Sequence, residues 1–268
     1  MTRPQDLDAG SQVDQERVNR LVERFMTPRS TPKSPRDEEL LASGVPLGLA
    51  SGLAATAWGE GPTVLLAHGW NSRGTHWGAY ISALTAGGFR AVAVDAPAHG
   101  DTPGVRANML QYGEALRMTG QELGPLAGVV GHSFGAGAAI VALAQGMDAA
   151  RAVIISAADS VRGLVERWAV QHGLPEAEVP HFVHEVARNV GRPIEDIQAS
   201  SLARGLTSQA LIVHDEGDEH MPLSDAEAIA AAWPGASLMV TRRYGHNRMM
   251  LARDVVRRVI AFLSLRDE

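Results

Sequence analysis

The 268-residue sequence has no cysteine. That excludes disulfides, thiolate catalysis and cysteine-ligated zinc, and it fits a reducing compartment. No apolar run is long enough to cross a bilayer. Met1 to Gly10 carries Arg3, Asp6 and Asp8 without an apolar h-region, so no secretory signal is expected there. The net charge of −6 is mild and spread along the chain, with neither a basic stripe for nucleic acid nor a polyanionic tail. No internal repeat occurs. The expectation is a soluble, cytoplasmic protein with no nucleic-acid and no membrane partner, long enough to bury one sizeable core.

From Gly52 onward, short apolar strands alternate with helices. Segment 53–58 reads as an edge strand, and 63–67, 90–94, 127–130, 152–156, 210–214 and 237–241 as further strands. Helices are predicted at 77–86, 109–123 and 250–263. Strands that are apolar along their whole length must be covered on both faces, so the fold class is α/β, a mostly parallel sheet between helices. Residues 1–45 read as a helical extension and linker, with 46–268 as the main domain. In the extension, Ser11-Gln12-Val13-Asp14 starts a helix with a narrow stripe of Val18, Leu21, Val22 and Phe25; a proline-rich stretch and a short helix from Pro35 to Gly44 follow. The stripe's use is open: docking on the main domain, contact with a second subunit in a homodimer, or none. Between about 159 and 207 the strand pattern stops. Val161, Leu164, Val165 and Trp168 mark one helix there, Phe182, Val183, Val186 and Val190 a second, and 194–202 a third.

The most informative stretch is Gly131-His132-Ser133-Phe134-Gly135, preceded by apolar 126–130 and followed by the buried-helix pattern 138–144. Strand, sharp turn and helix around Gly-x-Ser-x-Gly is the context of a nucleophile elbow. To lift its hydroxyl clear of the sheet, Ser133 must sit in a strained conformation, and the flanking glycines let strand and helix close together. The helix start offers free N–H groups to a developing negative charge. Such a hydroxyl needs a histidine to take its proton, and the histidine needs a carboxylate to fix its tautomer. Ligand sites of α/β sheets lie beyond the carboxyl ends of the strands. There the sequence places His68-Gly69-Trp70, Asp95-Ala96-Pro97, Ser133, Asp159, Asp215 to Asp218, and Gly245-His246. His246 is the candidate base, and Asp218, Asp215 and Asp159 are the candidate acids.

Over roughly residues 48–265, the order and spacing of these motifs resemble the α/β-hydrolase superfamily, serine hydrolases of the carboxylesterase kind. His68-Gly69-Trp70 matches the family's oxyanion loop. Asp95-Ala96-Pro97-Ala98-His99-Gly100-Asp101-Thr102 resembles its Asp-x-Pro-x-His-Gly-x-Ser loop, with Thr102 in place of serine. The resemblance implies Ser133 as nucleophile, His246 as general base and then acid, and Asp218 as the orienting carboxylate, favoured by its spacing to Pro222. Asp218→Asn is then expected to be severe and Asp215→Asn mild. It implies an oxyanion hole from the backbone N–H groups of Trp70 and Phe134. It also implies a helical lid at about 159–207, with Trp70, Phe134 and Trp168 as substrate-pocket residues. No cofactor and no metal are called for. His68, His99 and His132 are expected to shape loops, His181 and His184 to form a solvated helix face, and His214 and His220 gain no role from proximity alone. The expected reaction is cleavage of a small-molecule ester through a Ser133 acyl-enzyme. Thioester, carbon–carbon and peptide hydrolysis, acyl transfer and perhydrolysis use the same triad, and a non-catalytic binding protein is the alternative from another class. Dehalogenase and epoxide-hydrolase chemistry needs an aspartate where residue 133 is serine.

Overall fold

The computed structural model describes residues 13–195 and 197–265; the readings placed on Met1 to Gly10 and on Ser11 and Gln12 lie outside the described residues. Asp14 accepts the amide of Arg17 and caps α1 (Gln15–Met26). Ser34 and Asp37 form a reciprocal capping box which, with Pro35 at the first position, starts α2 (Pro35–Ala42). Then come β1 (Val45–Gly48), β2 (Ala54–Trp58), β3 (Thr63–Ala67), α3 (Gly78–Ala86), β4 (Arg90–Val94) and α4 (Met109–Leu123). The centre of the chain supplies β5 (Gly128–His132), α5 (Phe134–Ala144), β6 (Arg151–Ile155), α6 (Val161–Gln171), α7 (Val179–Val190) and α8 (Ala199–Ala203). It closes with β7 (Gln209–Asp215), α9 (Leu223–Ala232), β8 (Ala236–Thr241), α10 (Gly245–Arg248) and α11 (Arg253–Leu263).

The eight strands form one sheet in the order β1-β2-β4-β3-β5-β6-β7-β8, with β1/β2 and β2/β4 antiparallel and the rest parallel. Alternate side chains serve opposite layers, as the two-residue period of a strand requires. Leu65, Val129, Ile154 and Ile212 pack under α4, α5, α8 and α9. Val64, Leu66, Val130, Val153 and Leu211 pack under α3 and α11. Both faces are covered, as continuous apolar strands demand. Among the described residues no helix is long and apolar enough to cross a membrane.

Three expectations need correction. Segment 53–58 is not the edge: β2 lies between β1 and β4, and the edge is Val45–Gly48, paired from Val45↔Ala57 to Gly48↔Ala54. This strand is short, mostly exposed and contains Pro46, which an edge tolerates and a sequence pattern does not announce. The closing helix begins at Arg253, not at 250, because Ala252 is extended between a 3₁₀ turn and α11. The third insertion helix is only Ala199–Ala203 and joins the layer of α5 and α9. Asp159 dictates this: its carbonyl takes the Ala199 amide and its carboxylate the Ser200 amide at 2.7 Å, pinning the chain where the helix starts.

The remaining insertion helices, α6 and α7, build a separate small core together with α1. Val18, Val22 and Met26 are buried against Val165, Ala169, Phe182, Val183 and Val186. The Arg17 guanidinium binds the Glu178 carboxylate at the start of α7, and Arg106 links Glu23 of α1 to Asn189 of α7. The amphipathic stripe of α1 thus finds its partner on helices some 150 residues later in the chain.

Candidate active site

Ser133 stands between β5 and α5 at φ 52°, ψ −114°, a region sparsely populated by residues with a Cβ. The packing around it explains the motif. A Cβ on Gly131 would lie 2.6 Å from the Cα of Ala136, and one on Gly135 would lie 2.2 Å from the carbonyl oxygen of Ala67. Only glycine lets α5 sit this close to β5 and β3.

Ser133 Oγ lies 3.0 Å from His246 Nε2, and His246 Nδ1 lies 2.7 Å from Asp218 Oδ2. The side chain of Asp218 is fully buried, and its other oxygen accepts the amides of His220 at 2.9 Å and Met221 at 3.0 Å. Burial alone would raise the Asp218 pKa. The His246 hydrogen bond and charge, with the two amides, outweigh this and hold it at about 2. An ionised Asp218 keeps the proton of His246 on Nδ1, so Nε2 presents a lone pair to the serine hydroxyl.

The competing carboxylates are occupied elsewhere. Asp215 accepts Gly217 N at 2.9 Å, Thr241 Oγ1 at 2.6 Å, Arg243 N at 3.0 Å and Tyr244 N at 2.9 Å. Burial works against its charge, but these donors prevail and lower its pKa. It clamps the β7 loop that carries Asp218 to the β8 loop that carries His246. Asp159 is bound to Ser200 and Gln198, as the anchor of α8.

Beyond β3, the loop with Trp70 lies against the elbow: a Cβ on Gly69 would come within 3.3 Å of Ser133 Cβ. The Trp70 ring packs edge-on to Phe134, centroids 5.0 Å apart. The N–H of Phe134, first residue of α5, has no acceptor within the helix, and that of Trp70 has none among the described residues.

The histidines of these loops act as hydrogen-bonded struts. His68 Nδ1 donates to Gly69 O at 2.7 Å and Nε2 accepts Ala96 N at 2.9 Å; His99 Nδ1 donates to Pro97 O at 2.8 Å and Nε2 accepts Asn71 N at 3.1 Å. Burial lowers both, His68 to about 3. His132, which burial lowers to about 4, donates from Nε2 to the carbonyl of His246 at 2.9 Å. Asp95 accepts Gly74 N at 2.6 Å and Asp101 N at 2.7 Å, and the Thr102 hydroxyl donates to Asp95 O at 2.7 Å, so threonine serves in the serine's place. His214 is buried with Nε2 on Met221 O at 3.0 Å and 3.9 Å from Asp218, while the exposed His220 lies edge-on to His246. His181 and His184 lie exposed on α7.

A cavity of about 1150 Å³ opens over Ser133 and His246 and reaches Trp70, Phe134 and Trp168. It also reaches Phe25 and Met26, which sequence reasoning did not assign to the site. The stripe on α1 was legible, but nothing local announces which surface it meets. Asn71 was missed as well. At φ 54° it accepts Arg29 N at 2.7 Å and, through its carbonyl, the Thr31 hydroxyl at 3.1 Å, tying the linker to the residue after Trp70.

Comparison with known proteins agrees with this architecture. The sequence model of the Alpha/beta hydrolase family matches residues 64–259. A search of the curated proteins finds no match. Among solved structures, the chain is similar to the Pyrococcus furiosus esterase Pf2001 at 20% identity, covering 89% of this chain and 97% of that one with a TM-score of 0.67. It is similar to a thermophilic esterase from Thermogutta terrifontis (21% identity, 82% and 97% covered, TM-score 0.59). The meta-cleavage product hydrolase CumD from Pseudomonas fluorescens IP01 is similar too (22%, 83% and 98%, 0.60). At these identities the structures speak for the fold, while the match over residues 64–259 speaks for descent. The chain belongs to the α/β hydrolase family.

Proposed function

We propose that the protein is a serine hydrolase that cleaves a carboxylic ester through an acyl-enzyme on Ser133. The observation that carries this reading is the unbroken chain from Ser133 Oγ through His246 to Asp218, at 3.0 Å and 2.7 Å, beneath an open cavity. His246 takes the hydroxyl proton as Ser133 attacks the ester carbonyl, and Asp218 stabilises the imidazolium that forms. The amides of Phe134 and Trp70 receive the oxyanion; one such donor is worth about 3–4 kcal/mol of transition-state stabilisation. His246 then protonates the leaving alcohol. Water, deprotonated by the same histidine, hydrolyses the acyl-serine and restores the enzyme. Similarity to two esterase structures is in keeping with an ester substrate.

The test is intact-mass analysis after treatment with a fluorophosphonate, on the wild type and on Ser133→Ala. One adduct on the wild type and none on the variant is the expected result. No adduct on the wild type would remove the nucleophile and with it this function.

A further inference from the structure

The cavity over Ser133 is larger than the ~300–1,000 Å³ typical of small-molecule pockets. An acetyl or propionyl group would leave most of it unfilled. Its cap side is mostly hydrocarbon: Val165 and Trp168 come from α6, Val186 from α7, and Ile194 and Ile197 from the chain after α7, with Arg167 and Gln171 of α6 as the polar exceptions. Phe25, at the end of α1, completes that side. Its ring stands edge-on to Trp168 at 5.1 Å and to Phe182 at 5.9 Å, and it borders both the cavity and the small cap core.

The position of Phe25 is fixed at both ends. Upstream, Arg17 is bound to Glu178; downstream, the Met26 carbonyl accepts the amide of Ala107 at 3.0 Å. Half-buried Phe25 is thus a built wall and not a trailing side chain. We propose that Phe25 is a specificity-determining residue that closes the far end of an acyl pocket, and that the substrate class is esters whose acyl group is an unbranched hydrocarbon chain longer than butyryl. This inference rests on the Ser133 hydrolase reading. Each methylene that reaches the apolar cap surface strengthens binding by about fourfold, and the gain ends where the chain meets the Phe25 ring.

The experiment is kcat/KM on p-nitrophenyl butyrate, hexanoate, octanoate, decanoate and dodecanoate, for the full-length wild type, Phe25→Ala and Phe25→Trp. In the wild type kcat/KM rises with chain length and then stops rising. Phe25→Ala moves that stopping length outward, and Phe25→Trp moves it inward. Urea midpoints establish that both variants are folded. The same stopping length in all three proteins overturns the proposal. Fluorophosphonate labelling is run on the same preparations. If the wild type takes no adduct, the hydrolase reading fails, and the wall is judged by calorimetric binding of the matching fatty carboxylates. An affinity-against-length curve that breaks at a Phe25-dependent length supports it; a curve indifferent to residue 25 refutes it.

Discussion

Replacing Asp218 by asparagine keeps the side chain's shape and removes one charge, and the surrounding hydrogen bonds decide the consequence. One carboxylate oxygen accepts the amides of His220 and Met221 and the other faces His246 Nδ1. The asparagine carbonyl must stay on the two amides, since turning the NH₂ group toward them would set donors against donors. The NH₂ group then points at His246 Nδ1, which has to become an acceptor, moving the ring proton to Nε2. An imidazole protonated at Nε2 cannot take the proton of Ser133 Oγ 3.0 Å away. A forced wrong tautomer of this kind costs about 10⁴ in kcat, or ~5 kcal/mol. Asp215→Asn makes the contrasting perturbation. The aspartate there accepts four donors and none of them is His246. An amide keeps three of them on its oxygen, sets its NH₂ against Gly217 N–H and loses the charge, for a stability cost of about 3 kcal/mol. The clamp between the two catalytic loops is in that residue, so its activity loss comes from loosened geometry and not from a lost proton path. This revises the mild outcome expected from sequence alone. The assay is kcat on p-nitrophenyl butyrate together with urea unfolding for both variants. The reasoning is refuted if Asp218→Asn stays within tenfold of the wild type, or if Asp215→Asn is the slower enzyme with an unchanged urea midpoint.

Acid should destabilise the fold in a defined window. His68 and His132 are held neutral by burial, at about 3 and about 4, below the ~6.5 of an unfolded histidine. Their contribution is full above ~6.5 and is lost as pH falls, because the unfolded chain binds two protons that the folded chain refuses: ~2.7 kcal/mol per pH unit around pH 5. Urea unfolding across that range checks the slope, which His68→Gln should lower by ~1.4 kcal/mol per pH unit. Ser133→Gly should be inactive yet more stable than Ser133→Ala by about 1 kcal/mol, since glycine relieves the positive-φ strain of 1–3 kcal/mol at an entropic cost of ~0.5–1; equal urea midpoints would refute stored strain at the elbow. Asn71→Ala removes the acceptor for Arg29 N and places a Cβ residue less suited to φ 54° beside Trp70. With the Trp70 amide less well aimed, kcat should drop about tenfold while KM moves little, and a change confined to KM would show that the loop serves binding instead.

What the sequence discloses here tracks how local the cause is. The elbow is legible because its glycines answer to a collision within one strand–turn–helix, and β3, β5, β6 and β7 are legible because each carries an uninterrupted apolar run at its centre. Helix starts are legible where the cap is in the sequence itself, as at Asp14 and Ser34. Strand β1 is not, since Val45–Gly48 has weak strand chemistry and exists through its register with β2. The overlong third insertion helix fails for a related reason: its start is set by Asp159, some forty residues upstream. The choice among three carboxylates shows the same limit in sharper form. Asp215 ends β7 and Asp218 lies three residues on, and spacing to Pro222 favours Asp218 without showing what occupies Asp215. Space supplies that reason: four donors, from β8 and from the loops after β7 and β8, saturate Asp215 and leave Asp218 as the carboxylate that meets His246. The apolar stripe of α1 could be read from the sequence, but its destination lies on helices about 150 residues away, so the contribution of Phe25 to the cavity emerges only when α1 meets α6 and α7.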